Sequence, residues 1–183
     1  MAGALIKVDE FTVDSAVSSV TLGGGSSGSS GLNTSIDSTF DVYMVQLTNV
    51  RMATDARTLY IRFTASGTPN TTSNYDRAML NLRTDATFTE VHNTNQTFIG
   101  MGQGGTGTSE YQNATLYLFN FNNSSEYSFI TIEDVGRNAS ANLTGKQGGG
   151  VLTVTEANDG IYFYTSGGNI NTGSTFTLYG LKK

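Results

Sequence analysis

Apolar residues in this chain recur at every second position, in short bursts cut off by Gly, Asn and Ser, and never at helical spacing over a useful length. Side chains of a strand alternate between its two faces, so this period commits the chain to β-sheet. In Leu59-Tyr60-Ile61-Arg62-Phe63, the Leu, Ile and Phe share one face while Tyr60 and Arg62 take the other. Residues 40–47 and 116–121 are apolar on both faces, which predicts central strands. Further strands are expected over 127–132, 151–155, 161–164 and 175–179, with weaker patterns over 75–82 and 98–101. Residues 5–13 and 17–22 are expected to pair with each other as an opening hairpin.

The gaps between these runs are turn-like, as in Asn122-Asn123-Ser124-Ser125, Asn158-Asp159-Gly160 and Gly167-Gly168-Asn169. Gly and Asn accept the positive φ of tight turns. About ten strands so spaced predict an all-β, antiparallel two-sheet β-sandwich of the jelly-roll kind. Residues 1–15 form an N-terminal arm or first strand, and residues 16–183 a single β-sandwich domain. Phe63, Leu116, Leu118, Phe129 and Phe176 are expected in or beside its core. Three glycine-rich stretches, 23–31, 100–107 and 145–150, read as mobile loops or hairpin tips, the alternative being segments that order only against a neighbouring subunit.

Composition narrows the function. Thr, Ser, Asn and Gly fill 83 of 183 positions, Cys and Trp are absent, and His and Pro occur once each. Such a chain is poorly supplied with nucleophiles, general bases and metal ligands. Its net charge of −5, with only 10 Lys and Arg, argues against a nucleic-acid partner, which needs a basic face. No run approaches the roughly 20 apolar residues of a membrane helix, so no membrane partner is expected. Residues 1–11 carry Lys7, Asp9 and Glu10 and lack the apolar core of a signal peptide, so synthesis in a cytoplasm without export is expected.

The candidate chemistry is thin. His92 follows Glu90 at strand spacing, yet no nucleophile or second His accompanies them. Glu133-Asp134, and Glu156 with Asp159, read as solvated strand ends rather than the paired acids of a glycosidase. Asp9, Glu10 and Asp134 lack the alternating acidic spacing of a Ca²⁺ loop. Gly102 to Gly107 resembles a phosphate loop only superficially, since no Lys-Ser/Thr follows. The Asn-x-Ser/Thr triplets at Asn70, Asn113 and Asn142 are expected by chance in so Asn- and Thr-rich a chain. No catalytic residue, cofactor or metal is therefore assigned. Tyr43, Tyr60, Tyr75, Tyr111, Tyr117 and Tyr127 read either as sandwich residues with their hydroxyls at a sheet edge or as sugar-stacking rings, and Tyr75, Tyr111 and Asp76 are the candidate glycan contacts. Leu5, Ile6 and Val8 are candidate subunit contacts, being apolar and close to the terminus.

Phe40-Asp41-Val42-Tyr43, the 59–63 strand, Ser73-Asn74-Tyr75-Asp76 and a closing Ser174-Thr175-Phe176-Thr177-Leu178-Tyr179-Gly180-Leu181 follow one another in order. This series, spanning roughly residues 17–181, resembles small virion proteins of tailed bacteriophages, especially marine ones, that end in Ser-x-Phe-x-Leu-Tyr-Gly-aliphatic. The resemblance implies a non-enzymatic structural protein on the virion surface, assembling on other virion proteins, capsid or tail subunits, and commonly trimeric. It brings no catalytic residues. Because the β pattern begins near the N-terminus and leaves no room for a stalk, capsid decoration is favoured. The alternative is a tail- or fibre-associated receptor-binding module recognising a host-surface glycan. An N-terminal arm further predicts that residues 1–10 can be removed without unfolding the domain.

Overall fold

The computed structural model describes residues 4–24 and 34–182. Thirteen strands and no helix are found among them: β1 Ala4–Thr12, β2 Ser19–Gly23, β3 Val42–Val50, β4 Arg57–Ala65, β5 Thr68–Pro69, β6 Tyr75–Arg83, β7 Thr89–Gln96, β8 Ile99–Gly104, β9 Gln112–Phe119, β10 Ser128–Arg137, β11 Leu143–Leu152, β12 Gly160–Thr165 and β13 Thr175–Lys182. Eight form one sheet in the order β1-β13-β3-β9-β10-β11-β6-β7. The other sheet runs β2-β12-β4, with β5 and β8 both pairing with β4. All pairings are antiparallel, and the two sheets stack as a β-sandwich; strand order by itself does not define a jelly roll.

The alternation visible in the sequence is what fills the core. Leu59, Ile61 and Phe63 are fully buried, as are Leu116, Leu118 and Phe176. Rings meet between the sheets: Phe163 of β12 lies 5.1 Å from Phe176 of β13, and Phe63 of β4 lies 5.6 Å from Tyr75 of β6. Phe121, just beyond β9, closes on Phe63 at 4.4 Å. Burial of this much aromatic area explains how a chain without disulfides holds two sheets together.

Four expectations are corrected. Phe129 is 45% exposed, because Ser128, Ile130 and Ile132 take the inward face of β10 and a one-residue step reverses the side. The opening segments do not pair: β1 lies against β13 in the large sheet, β2 against β12 in the small one. The link Val13-Asp14-Ser15-Ala16-Val17-Ser18 holds neither Gly nor Asn for a tight hairpin, and it crosses between layers, tied by the Val17–Ile170 bridge.

Residues 145–150 are no loop but the middle of β11, paired on both sides by β10 and β6. Gly148 sits at φ +155°, and a Cβ there would collide with the Ala78 carbonyl. Only glycine fits, so a loop-like composition marks a crowded interior strand. The stretch 100–107 is likewise β8 over its first half. A side chain at Gly102 would strike the Gln112 carboxamide and lie 3.2 Å from Asp134 Oδ1. Glycine therefore lets β8 lie close against the large sheet. Of the stretch 23–31, residues 25–31 lie outside the described residues.

Candidate functional site

The outer face of the large sheet is where apolar side chains remain uncovered. On β9 and β10, Tyr117, Phe129, Thr131, Glu133 and Val135 point outward, and Val135 is half exposed. At one end Leu143 joins them, with Phe88 from the β6–β7 connection 57% exposed. The glycines of β11 leave two shallow grooves along this face. One, of about 620 Å³, is lined by Phe88, Leu82, Val135, Leu143 and Gly145. The other runs past Phe129, Thr131, Gly149, Ala78 and His92. Exposed apolar area gathered on one sheet face, with polar residues between, is the composition of an interaction surface.

The sheet ends in two edges. β7 is an exposed, polar edge strand. At the other edge, β1 begins with Leu5 and Ile6, which are 54% and 41% exposed. These two candidate subunit contacts are available to a neighbour. Val8 is not: it is buried in the core, because the β1 bulge between Lys7 and Asp9 turns Val8 and Asp9 toward the sandwich interior. Asp9 Oδ2 there accepts the Gly23 N–H at 3.0 Å, joining the two sheets.

The candidate glycan contacts are not assembled. Tyr75 is wholly buried; its hydroxyl accepts the Phe63 N–H at 3.0 Å and donates to the Asn70 carbonyl at 3.1 Å. Burial pushes its pKa above the ordinary range. Asp76 points to the opposite face of the same strand and accepts the Asn95 N–H at 2.9 Å. Tyr111 lies apart under the Arg51 guanidinium, 5.1 Å from its ring centre. Period two along β6 separates the first pair, and the sandwich core claims the larger ring.

The acids are dispersed as well. Glu90 and His92 stand exposed on β7. Glu156 accepts from Asn70 Nδ2 at 2.8 Å, while Asp159 accepts from Thr64 Oγ1 and the Gly67 N–H at 2.7 and 2.8 Å, stapling the end of β4. Glu133 faces solvent and Asp134 faces the interior, so the adjacent pair cannot address one bond. No cluster of three or more His, Asp or Glu positioned for a metal occurs among the described residues.

Asp134 is not the solvated strand end that its neighbours in the sequence suggest. It is 5% exposed, and its oxygens accept the Gly102 N–H at 2.8 Å and the Lys146 N–H at 2.9 Å. One carboxylate thus ties β8 of the small sheet to β10 and β11 of the large one. Burial raises its pKa from 3.8 to about 6, against the pull of those N–H groups and of the Lys146 charge. Burial likewise lowers the pKa of Lys146, whose ammonium donates to the Gly100 carbonyl at 3.4 Å. The signal was present in the sequence: Ile130, Ile132 and Asp134 continue one alternation, placing the acid on the inward face.

Fold and surface together define an all-β sandwich with an exposed apolar sheet face and two edges. Among protein-family models and curated protein sequences, none matches the chain.

Proposed function

We propose that this chain is a non-enzymatic structural protein of a tailed-bacteriophage virion, surface-exposed and seated on other virion subunits as a capsid decoration. The observation that carries the reading is the uncovered apolar face around Tyr117, Phe129, Val135 and Phe88. Side chains of this kind in open water gain from burial against a partner, at about 25 cal/mol per Å² of apolar area. The pairs Glu133–Asp134 and Glu156–Asp159 are turned apart or engaged in hydrogen bonds, which supports this reading over glycoside cleavage. The serial resemblance of residues 17–181 to small virion proteins supplies the setting, and a symmetric trimer is the assembly proposed.

The test is incorporation. Phe129→Glu and Val135→Glu place charge on the face without entering the core. Purified variants are mixed with particles stripped of the protein, and occupancy is read by sedimentation and gel densitometry. Loss of occupancy with an unchanged melting temperature is expected. Full occupancy by the double variant would reject this face as the docking surface.

A further inference from the structure

The outer face of the small sheet carries a second constellation, independent of the assembly reading. Four aromatic rings lie in contact along β12, β4 and the residue before β8. Tyr162 and Tyr164 of β12 are 5.5 Å apart, Tyr164 meets Tyr60 of β4 at 5.4 Å, and Tyr60 stacks on Phe98, beside β8, at 3.9 Å. Strand register builds the row: Tyr164 pairs with Tyr60, and Tyr162 with Arg62. On the far side of β12, Ser19 and Thr21 stand opposite Tyr164 and Tyr162. All four rings are partly exposed, while Ile61, Phe63 and Phe163 of the same strands fill the core. The platform is therefore rigid from beneath.

Two arginines border these rings. The Arg62 guanidinium lies 4.7 Å from the Tyr164 ring centre and donates from Nε to the Thr97 carbonyl at 2.8 Å. Its two terminal nitrogens make no hydrogen bond among the described residues. Arg77 lies 5.8 Å from the Phe98 ring centre, held by Asn93 and facing the Gly100 carbonyl. The ion pairs among the described residues are Lys7–Glu10 and Arg83–Asp85, so neither arginine is neutralised by a carboxylate. In a chain of net charge −5, this is a local cationic, aromatic surface.

We infer that the Tyr60–Arg62–Tyr162–Tyr164 face binds a polysaccharide chain bearing uronate carboxylates. Aromatic faces take the apolar C–H side of a sugar ring. The tyrosine, serine and threonine hydroxyls meet its hydroxyls, and the planar guanidinium of Arg62 pairs a carboxylate through two N–H groups. Two cations among four rings suit sparse carboxylates. A phosphate at every residue of a nucleic acid demands a larger basic stripe.

The experiment is affinity electrophoresis of the full chain in gels containing polygalacturonate, alginate, neutral dextran or single-stranded poly(dT). Wild type is compared with Tyr162→Ser, Arg62→Gln and Arg62→Lys, after thermal melting shows each folded. Retardation by a uronate polymer and not by dextran is expected, weakened about tenfold by Tyr162→Ser and by Arg62→Gln, the size of one lost anchor of roughly 1.4 kcal/mol. Arg62→Lys should recover part of the binding, because it restores the charge without the fork. No retardation by either uronate polymer overturns the inference, as does retardation the variants leave unchanged. Equal retardation by dextran removes the role of charge, and equal retardation by poly(dT) removes the saccharide. If the variants alter only the sedimentation coefficient, the face is a subunit contact and the inference fails.

Discussion

Asp134 should make the stability of this protein fall as pH rises through the weakly acidic range, the reverse of ordinary carboxylate behaviour. An ordinary surface acid loses its proton near 3.8, whereas Asp134 holds its own to about 6. Between those values the folded state binds more protons than the unfolded chain, so the slope of unfolding free energy against pH is negative. Below about pH 4 the carboxyl is neutral in both states and the penalty is absent. Above about pH 6 it is fully in place. At about 1.36 kcal/mol per pH unit, the gap from 3.8 to about 6 corresponds to about 3 kcal/mol.

The charged group facing Asp134 is Lys146 from β11, which favours the carboxylate, so burial prevails over it. Asp37 and Asp85 act with the opposite sign. Hydrogen bonds from Thr39 and from Arg83 lower their pKa values, and their stabilisation is lost in acid. The clean observable is therefore a difference. Urea unfolding of wild type and Asp134→Asn is compared from about pH 4 to about pH 7. Wild-type stability relative to the variant should fall by up to about 3 kcal/mol across that range. A difference curve that is flat, or that rises with pH, would refute the buried-carboxylate argument.

Other expectations follow from the same packing. Phe63→Ala removes a wholly buried ring that contacts Tyr75 and Phe121, and should cost about 3–5 kcal/mol in chemical denaturation. Gly148→Ala combines positive φ with a clash against the Ala78 carbonyl and should lower stability by about 1–3 kcal/mol, with the melting temperature as readout. Deleting residues 1–10 removes buried Val8 and the Asp9 acceptor of Gly23, so the domain, expected from sequence to stay folded, should melt at lower temperature. Glu133→Gln and Glu156→Gln should leave a protein that, like wild type, releases no reducing ends from capsular polysaccharide; release abolished by either change would reject the non-enzymatic reading.

Several features were legible in the sequence itself. Alternation over 59–63 identified a buried face, because a strand's period is a local property and burial follows it; over 116–118, apolar on both faces in the sequence, only the packed sheets decided that Tyr117 stays outside. The two-sheet, antiparallel, all-β class came from the same local pattern with its Gly and Asn turns. Which strands become neighbours did not, since pairing depends on contacts far apart in the chain, as when β1 meets β13. Glycine-rich composition misled at β11 and β8, because flexibility and close approach demand the same residue and only the neighbouring backbone tells them apart. The surface sites are likewise tertiary. Tyr60 and Tyr164 lie far apart in sequence and become one row through register, while Tyr75 and Asp76 are adjacent in sequence and are parted by the pleat. Local sequence determined which residues turn inward along each strand; only the folded sheets decided which outward residues meet.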